Sequence, residues 1–162
     1  MSNQPSLPAS IRFLEQQKVP FRLFHHQRPV ESLEDAAVQR GQSPEQVIRS
    51  ILFRLSEQRY FMVLTPGPNQ IPWKALRVYW QQSRLTLASR EEVLQVTGCE
   101  PGTVNPFGLD AEIPVLIENC IFSLPEISLG SGERGTAILI HPQDVLRAVP
   151  QAIVVTLDDA LC

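Results

Sequence analysis

Cysteine is scarce in this sequence. The three cysteines, Cys99, Cys120 and Cys162, cannot all pair with one another, and none stands in a Cys-x-x-Cys spacing. That spacing is typical of zinc and redox sites. The sequence therefore predicts reduced thiols, with neither a disulfide framework nor a cysteine-based metal site.

Long hydrophobic runs are missing as well. Apolar stretches such as residues 60–64 and 152–156 are far shorter than the roughly 20 residues that a membrane-spanning helix needs. Residues 1–8 lack a basic region followed by an apolar stretch, which is the pattern of a secretory signal. We expect a cytoplasmic protein that has no membrane partner.

A large positive charge is also absent, since the net charge is −3 at pH 7. Phosphate binding needs a local excess of Lys and Arg, so neither a general nucleic-acid coat nor a DNA partner is expected. Within the chain, residues 1–81 hold ten Lys/Arg and six Asp/Glu, whereas residues 82–162 hold four and eleven. Two alternatives stay open: a basic surface built from the first half, or a fold that mixes the halves and cancels the difference.

What the chain does contain is the composition of an ordinary globular domain. Its 162 residues are 43% hydrophobic and 19% charged, with 14 prolines and 8 glycines. Because a domain usually has about 100 to 200 residues, we expect a single domain over residues 1–162.

Short helices and short strands alternate without a regular repeat. Capping signals at Ser6, Ser32, Ser43 and Ser89 predict helices, and further helices are expected after Pro72 and over residues 142–147. Runs of β-branched and aromatic residues predict strands at residues 21–26, 50–55, 60–65, 85–87, 115–118, 127–129, 136–140 and 153–156. The second and third of these read as a hairpin. We predict a mixed α/β fold in which a curved, largely antiparallel sheet or a partly closed barrel is flanked by short helices.

Common catalytic and metal-binding patterns are not found in the sequence. His25 and His26 are adjacent on a predicted strand and point to opposite faces, so they do not easily share one metal ion. His141 stands before Pro142, where a capping or packing role is expected. There is no G-x-S-x-G elbow, phosphate loop or dinucleotide fingerprint. A Ser/His/Asp triad stays open, because its members meet only in space.

Two segments are unusual. Residues 98–108, GCEPGTVNPFG, combine three glycines and two prolines between a predicted helix and a predicted strand. Such a loop can bring backbone N–H groups close to a carbonyl or hydroxyl oxygen of a ligand, although it can equally be a plain structured connection. Residues 46–50 place Arg49 among apolar neighbours at a helix-to-strand junction. The alternative for Arg49 is an ordinary solvated charge at a helix end.

A series of short motifs then makes a family resemblance visible. In chain order they are VPF at 19–21, S-x-E-D-A-A at 32–37, PEQVIRSILF at 44–53, TPG at 65–67, TG at 97–98, GTVNPFG at 102–108, IPVLIE at 113–118 and GSGERG at 130–135. The chain resembles the YbaK family of aminoacyl-tRNA deacylases, which is related to the editing domain inserted in bacterial prolyl-tRNA synthetases. The resemblance covers nearly the whole chain, from about Ile11 to Val149.

The resemblance implies a free-standing enzyme that hydrolyses the ester between a wrong amino acid and the 3′ end of a tRNA, typically tRNA-Pro carrying a small amino acid. No metal or other cofactor is required in that family. The implied partners are the acceptor end of an aminoacyl-tRNA and an aminoacyl-tRNA synthetase. Cations of the first half of the chain are then candidates for holding the tRNA: Arg22, Arg28, Arg40, Arg49 and Arg54.

The resemblance also assigns site residues. The G-x-x-x-P loop that shapes the family pocket is matched by Gly102 and Pro106, which together with Arg49 are the expected catalytic residues. The expected substrate-binding residues lie on the early strand, at the start of the hairpin, in the loop and in the GSG turn: His26, Ser50, Thr103, Val104, Asn105, Phe107, Gly108, Gly130, Ser131 and Gly132.

Three positions depart from the family pattern. Arg49 stands where deacylating relatives commonly carry lysine, and arginine is planar, larger and effectively never deprotonated. His26 and Ala137 stand near the positions of a tyrosine and an acid in some relatives, so the cysteine-specific subgroup is not expected. The alternatives to a deacylase are a weak or inactive homologue that binds tRNA or a synthetase, and a small-molecule binding module.

Overall fold

The helices begin and end largely where the capping signals predict. In the computed structural model, which describes residues 6–109 and 112–157, the Ser32 and Ser89 hydroxyls each accept a hydrogen bond from the backbone N–H three residues later. The helices that follow them end at Gly41 and Gly98, which adopt left-handed conformations with φ of 67° and 70°. His141 caps the last helix, as expected, because its Nδ1 accepts from the N–H of Gln143.

Five short helices and eight strands alternate in the described part of the chain. They are α1 (Ala9–Gln16), β1 (Arg22–His25), α2 (Leu33–Arg40), β2 (Ile48–Ser56), β3 (Arg59–Pro66), α3 (Trp73–Trp80), β4 (Thr86–Leu87), α4 (Arg90–Thr97), β5 (Val115–Glu118), β6 (Ile127–Gly130), β7 (Thr136–Ile140), α5 (Pro142–Ala148) and β8 (Ile153–Val155). Two 3-10 helices, Pro44–Gln46 and Asn119–Ser123, lie between them.

The start of α1 differs from the prediction. Pro8, not Ser6, precedes the first helical residue, and no side chain caps this end. The carbonyl of Pro8 instead accepts hydrogen bonds from the N–H groups of Ile11 and Arg12. Proline suits this place because its φ is already close to the helical value.

The strands form two sheets. One has the order β4-β2-β3-β5-β8, and the other has the order β1-β7-β6. The β2–β3 hairpin and the whole smaller sheet are antiparallel, whereas β5 runs parallel to both β3 and β8. A single parallel bridge between Val47 and Ser128 links the sheets. The mixed α/β prediction is confirmed, and the strands of the described residues do not close into a barrel.

Both faces of the larger sheet are covered. Met62, Leu64 and Ile117 point towards the smaller sheet and α1, in a core that also contains Leu14 and Ile138. The alternate residues of the same strands point to the other face and pack with α3, with stacked Phe rings 5.0 Å apart. The strand residues of this second cluster are Phe53, Phe61, Val63 and Leu116, and Leu76 of α3 packs against them. Burial on both sides explains why β3 and β5 read as nearly continuous apolar runs.

The state of the cysteines and the lengths of the helices are visible in the described residues. Cys99 and Cys120 are free thiols, as predicted, while Cys162 lies outside the described residues. None of the helices described is long and apolar enough to cross a membrane.

Candidate functional site

A cavity of about 340 Å³ lies where α2, the start of β2, the loop before β5 and the end of β6 meet. Among its described lining residues there are two arginines and no Asp, Glu, His, Lys, Cys or Tyr. The lining residues are Val30, Ser32, Leu33, Ala36, Arg40, Val47, Ile48, Arg49, Ser50, Gly102, Val104 and Gly130.

Arg49 reaches this cavity from the second residue of β2. The strand is held by its antiparallel register with β3, which places Arg49 opposite Thr65. The Nε of Arg49 is buried and makes no hydrogen bond with the described residues, and the same is true of the Oγ of Ser50 and the Oγ1 of Thr65. Burial lowers the pKa of Arg49. The start of β2 thus presents a desolvated cation and the unpartnered hydroxyl of Ser50 at the cavity, with Thr65 of β3 opposite Arg49.

Arg40 enters the same cavity from the last turn of α2. Its Nε donates to Nε2 of His26 at 3.2 Å, and its Nη1 donates to Oγ of Ser128 at 2.9 Å. Burial lowers the pKa of Arg40 to about 10, so the guanidinium stays charged at neutral pH. Both of its protein partners are neutral acceptors, which means that its charge is not balanced within this contact.

His26 lies behind Arg40 and is not among the cavity-lining residues. Its Nδ1 is 2.8 Å from Oε1 of Gln39, an acceptor, while its Nε2 accepts from Arg40. The two contacts together assign a neutral imidazole whose proton is on Nδ1. His26 therefore orients Arg40.

The five candidate cations of the first half divide into two groups. Arg22, Arg28 and Arg54 form ion pairs with Glu126, Asp35 and Glu92, respectively. Arg40 and Arg49 form no ion pair with any described residue. The two unpaired arginines are also the two that line the cavity. Folding thus gathers a local excess of positive charge at one place in spite of the net charge of −3.

The loop that follows α4 reaches three different places. Gly102 and Val104 line the cavity with the two arginines. Asn105 and Phe107 line a separate polar pocket of about 280 Å³. Pro106 lines a third pocket of about 100 Å³. The consecutive residues Val104, Asn105 and Pro106 therefore line three different pockets.

Gly130 allows this loop to approach β6. A Cβ atom at Gly130 would lie 2.4 Å from the backbone carbonyl of Thr103, which is closer than such atoms can come. Thr103 itself is buried, and its Oγ1 donates to the carbonyl of Glu100. The absence of a side chain at Gly130 thus keeps Gly102 and Val104 beside the arginines.

The structure brings together five of the predicted site residues in one cavity: Arg49, Ser50, Gly102, Val104 and Gly130. The others lie elsewhere. The polar pocket on the far side of the loop is lined by Asn105, Phe107, Gly108, Ser131 and Gly132. Pro106 lines the third pocket. Thr103 is packed against Gly130, and His26 contacts Arg40.

Sequence reasoning named Arg40 only as one of five candidate tRNA-binding cations, and it placed neither Arg40 nor the face of α2 among the site residues. A signal for it exists, because Leu33, Ala36 and Arg40 are three and four residues apart, which puts them on one side of a helix. Ala36 is buried, so an arginine one turn later is directed inward as well. The apolar stripe of α2 therefore points its terminal charge at the cavity.

One further groove on the surface does not involve these residues. A larger groove of about 820 Å³ runs along α3 and is mainly apolar, with Trp73, Val78 and Tyr79 in its wall. Among the residues of known placement, no group of three His, Cys, Asp or Glu could hold a metal ion.

Comparison with known proteins gives a consistent assignment. A family model for the aminoacyl-tRNA editing domain matches residues 27–148. Proline–tRNA ligases of Bacillus licheniformis and Bacillus pumilus are 32% and 30% identical to the chain over 108 residues, which is 67% of this chain and 19% of each ligase. The chain therefore spans about a fifth of the length of these relatives.

A solved structure of a candidate trans-editing enzyme for prolyl-tRNA synthetase has the same fold. It superposes with a TM-score of 0.82 at 21% identity, covering 96% of this chain and 98% of that chain.

Proposed function

Because the chain belongs to the aminoacyl-tRNA editing domain family, we propose that it is a free-standing deacylase that hydrolyses the ester of a mischarged tRNA. The observation that carries this proposal is the shared cavity of Arg49 and Gly102, which contains unpaired positive charge and, among the described residues that line it, no carboxylate. An aminoacylated tRNA end offers what such a cavity suits: a phosphate, an ester carbonyl and a small side chain.

The lining residues limit the chemistry that the protein itself performs. Arginine is effectively always protonated, so Arg49 serves as a donor and does not act as a base. Its guanidinium faces the position of the ester carbonyl or the terminal phosphate and stabilises the negative charge that develops on oxygen. Since none of the described lining residues is an acid, a histidine or another group that could act as a base at neutral pH, the neighbouring ribose hydroxyl and water carry the protons.

The reaction then balances without a cofactor. A water oxygen adds to the ester carbonyl carbon, and the bond between that carbon and the ribose oxygen breaks. The ribose oxygen takes up a proton as it leaves, and the products are a free amino acid and an uncharged tRNA. Positioning of the ester against the Gly102 loop lowers the barrier by holding the reactants in place.

Cavity size favours small aminoacyl groups. A volume of about 340 Å³ accepts a ribose and a compact side chain, and a rigid wall rejects larger groups more strongly than it distinguishes a missing methylene. We propose tRNA-Pro carrying a small wrong amino acid as the substrate.

A panel of aminoacyl-tRNAs tests the proposal. Wild-type protein is mixed with tRNA-Pro carrying labelled alanine, serine, cysteine or proline, and with a tRNA of different identity carrying alanine. Release of label from at least one small mischarged tRNA-Pro, well above the rate in buffer, is the expected result. Binding of these tRNAs without hydrolysis would instead establish the alternative of an inactive homologue. If the protein neither binds nor hydrolyses any of them, both the deacylase and the inactive homologue are excluded.

Binding of the tRNA should weaken steeply as salt rises. Phosphate contacts release counterions, so the logarithm of the binding constant falls linearly with the logarithm of the salt concentration. Fluorescence anisotropy with labelled tRNA at several KCl concentrations measures the slope, and uncharged tRNA measures it without hydrolysis. An affinity that is unchanged between low and moderate salt would show that Arg40, Arg49 and the other cations do not hold phosphate.

A further inference from the structure

The positive charge of Arg40 is more deeply buried than that of Arg49, and no carboxylate of the residues that the structure describes balances it. Removing a guanidinium from water costs free energy that hydrogen bonds to a neutral imidazole and a hydroxyl recover only in part. The described contacts of Arg40, to His26 and Ser128, are both of this neutral kind. An anion in the cavity would supply the missing interaction.

Two carboxylates are linked by hydrogen bonds to the partners of Arg40, and both are already paired with other arginines. Asp35, on the same helix as Arg40, accepts two hydrogen bonds from Arg28, one from the N–H of Glu31 and one from Gln39. The Arg28 guanidinium and these donors hold the pKa of Asp35 well below its usual range. Glu126 pairs with Arg22 at 2.7 Å. Asp35 and Glu126 are therefore each paired with another arginine and do not pair with Arg40.

The guanidinium is also held in one orientation. His26 fixes Nε and Ser128 fixes Nη1, while Ser128 in turn donates to Oε1 of Gln42 at 2.7 Å. Nη2 makes no hydrogen bond with the residues the structure describes. A side chain clamped on two of its three nitrogens loses little further freedom when it binds a ligand. The guanidinium is therefore already oriented, and Nη2 is left to donate to a ligand.

We propose that Arg40 is a second anion-binding residue of the cavity, and that it takes an anionic oxygen of the substrate while Arg49 serves the ester. This inference rests on the proposed function. Two parts of an aminoacyl-tRNA end carry such an oxygen: the phosphate before the terminal adenosine, and the carboxylate of an acidic aminoacyl side chain. The shared chemistry is a carboxylate or phosphate oxygen received by a fixed guanidinium.

Three stable probes separate these sources. All carry the amino acid through an amide in place of the ester, so that none is hydrolysed. The first is the dinucleotide CpA bearing asparagine, the second is CpA bearing aspartate, and the third is adenosine bearing asparagine, which has neither phosphate nor carboxylate. Dissociation constants are measured by calorimetry for the wild type, Arg40→Gln and Arg40→Met. Arg147→Gln is the matched control, because Arg147 pairs with Asp144 on α5 and does not line the cavity.

The expected result is a loss of at least about tenfold in affinity that depends on the anion. If Arg40 binds phosphate, both CpA probes weaken and the adenosine probe does not. If it binds the side-chain carboxylate, only the aspartate probe weakens. Arg40→Met keeps an apolar stem, so it provides a folded variant in which only the charge and the donors are removed.

Two results would overturn the inference. An equal loss with all three probes would show that Arg40 only supports the fold, and unchanged affinities would show that it binds no anion. These differ from a failure of the proposed function, in which the wild type itself binds none of the three probes.

Discussion

Replacing Arg49 by alanine should slow deacylation by at least about tenfold, which corresponds to a loss of roughly 1.4 kcal/mol of transition-state stabilisation. The substitution removes the donors that face the ester or its phosphate. It should not lower the thermal midpoint, because the buried Nε has no protein partner to lose and the removed charge was partly desolvated. Single-turnover rates on a mischarged tRNA and thermal unfolding measure the two effects.

Arg49→Lys and Arg147→Ala make the test of Arg49 specific. Lysine keeps the charge and takes less space, so activity toward small aminoacyl groups should be kept or raised. Arg147, on α5, lies outside the cavity, and its replacement should leave the rate unchanged. An Arg49→Ala enzyme within twofold of the wild type would show that the guanidinium takes no part in the reaction.

Gly102→Val should abolish most of the deacylase activity, and Gly135→Val should not. Both glycines have left-handed backbones, with φ of 84° and 88°, and a Cβ at either position meets nothing within 4 Å. Valine should therefore cost a comparable amount of stability at the two sites, on the order of 1–2 kcal/mol from backbone strain. Only at Gly102 does the new side chain enter the cavity.

The comparison of the two glycine variants separates function from folding. Urea denaturation gives the free energy of unfolding of each variant, and deacylation is measured at a temperature where both are folded. The expected difference is a loss of more than about tenfold in rate that is confined to Gly102→Val. Equal losses of activity in the two variants would indicate that the loop needs only a glycine conformation and does not line the substrate site.

Much of the local structure could be predicted from sequence because its causes are local. Ser32, Ser89 and His141 cap helices through contacts within three residues, and the short connection between β2 and β3 dictates an antiparallel hairpin. The motif series also singled out Arg49 and Gly102, which line one cavity in the structure.

The rest depends on contacts between distant parts of the chain. The parallel pairing of β5 with β3 and β8 follows long crossovers that the residue pattern does not specify. Arg40 meets Ser128 across 88 positions of sequence. The helical spacing places Arg40 on the apolar side of α2, but its partner on β6 depends on how the helix packs. The division of the Gly102–Pro106 loop between three pockets has the same origin, since it depends on the contact of Thr103 with Gly130.

The most direct test of the account is a crystal structure of the protein with 3′-alanylamino-3′-deoxyadenosine, a stable analogue of the aminoacylated tRNA end. We expect the alanyl carbonyl to lie within hydrogen-bond reach of Arg49 and the methyl group to point at the wall formed by Gly102 and Val104. Binding of the analogue in the apolar groove along α3, or in the polar pocket beside Gly132, would contradict it.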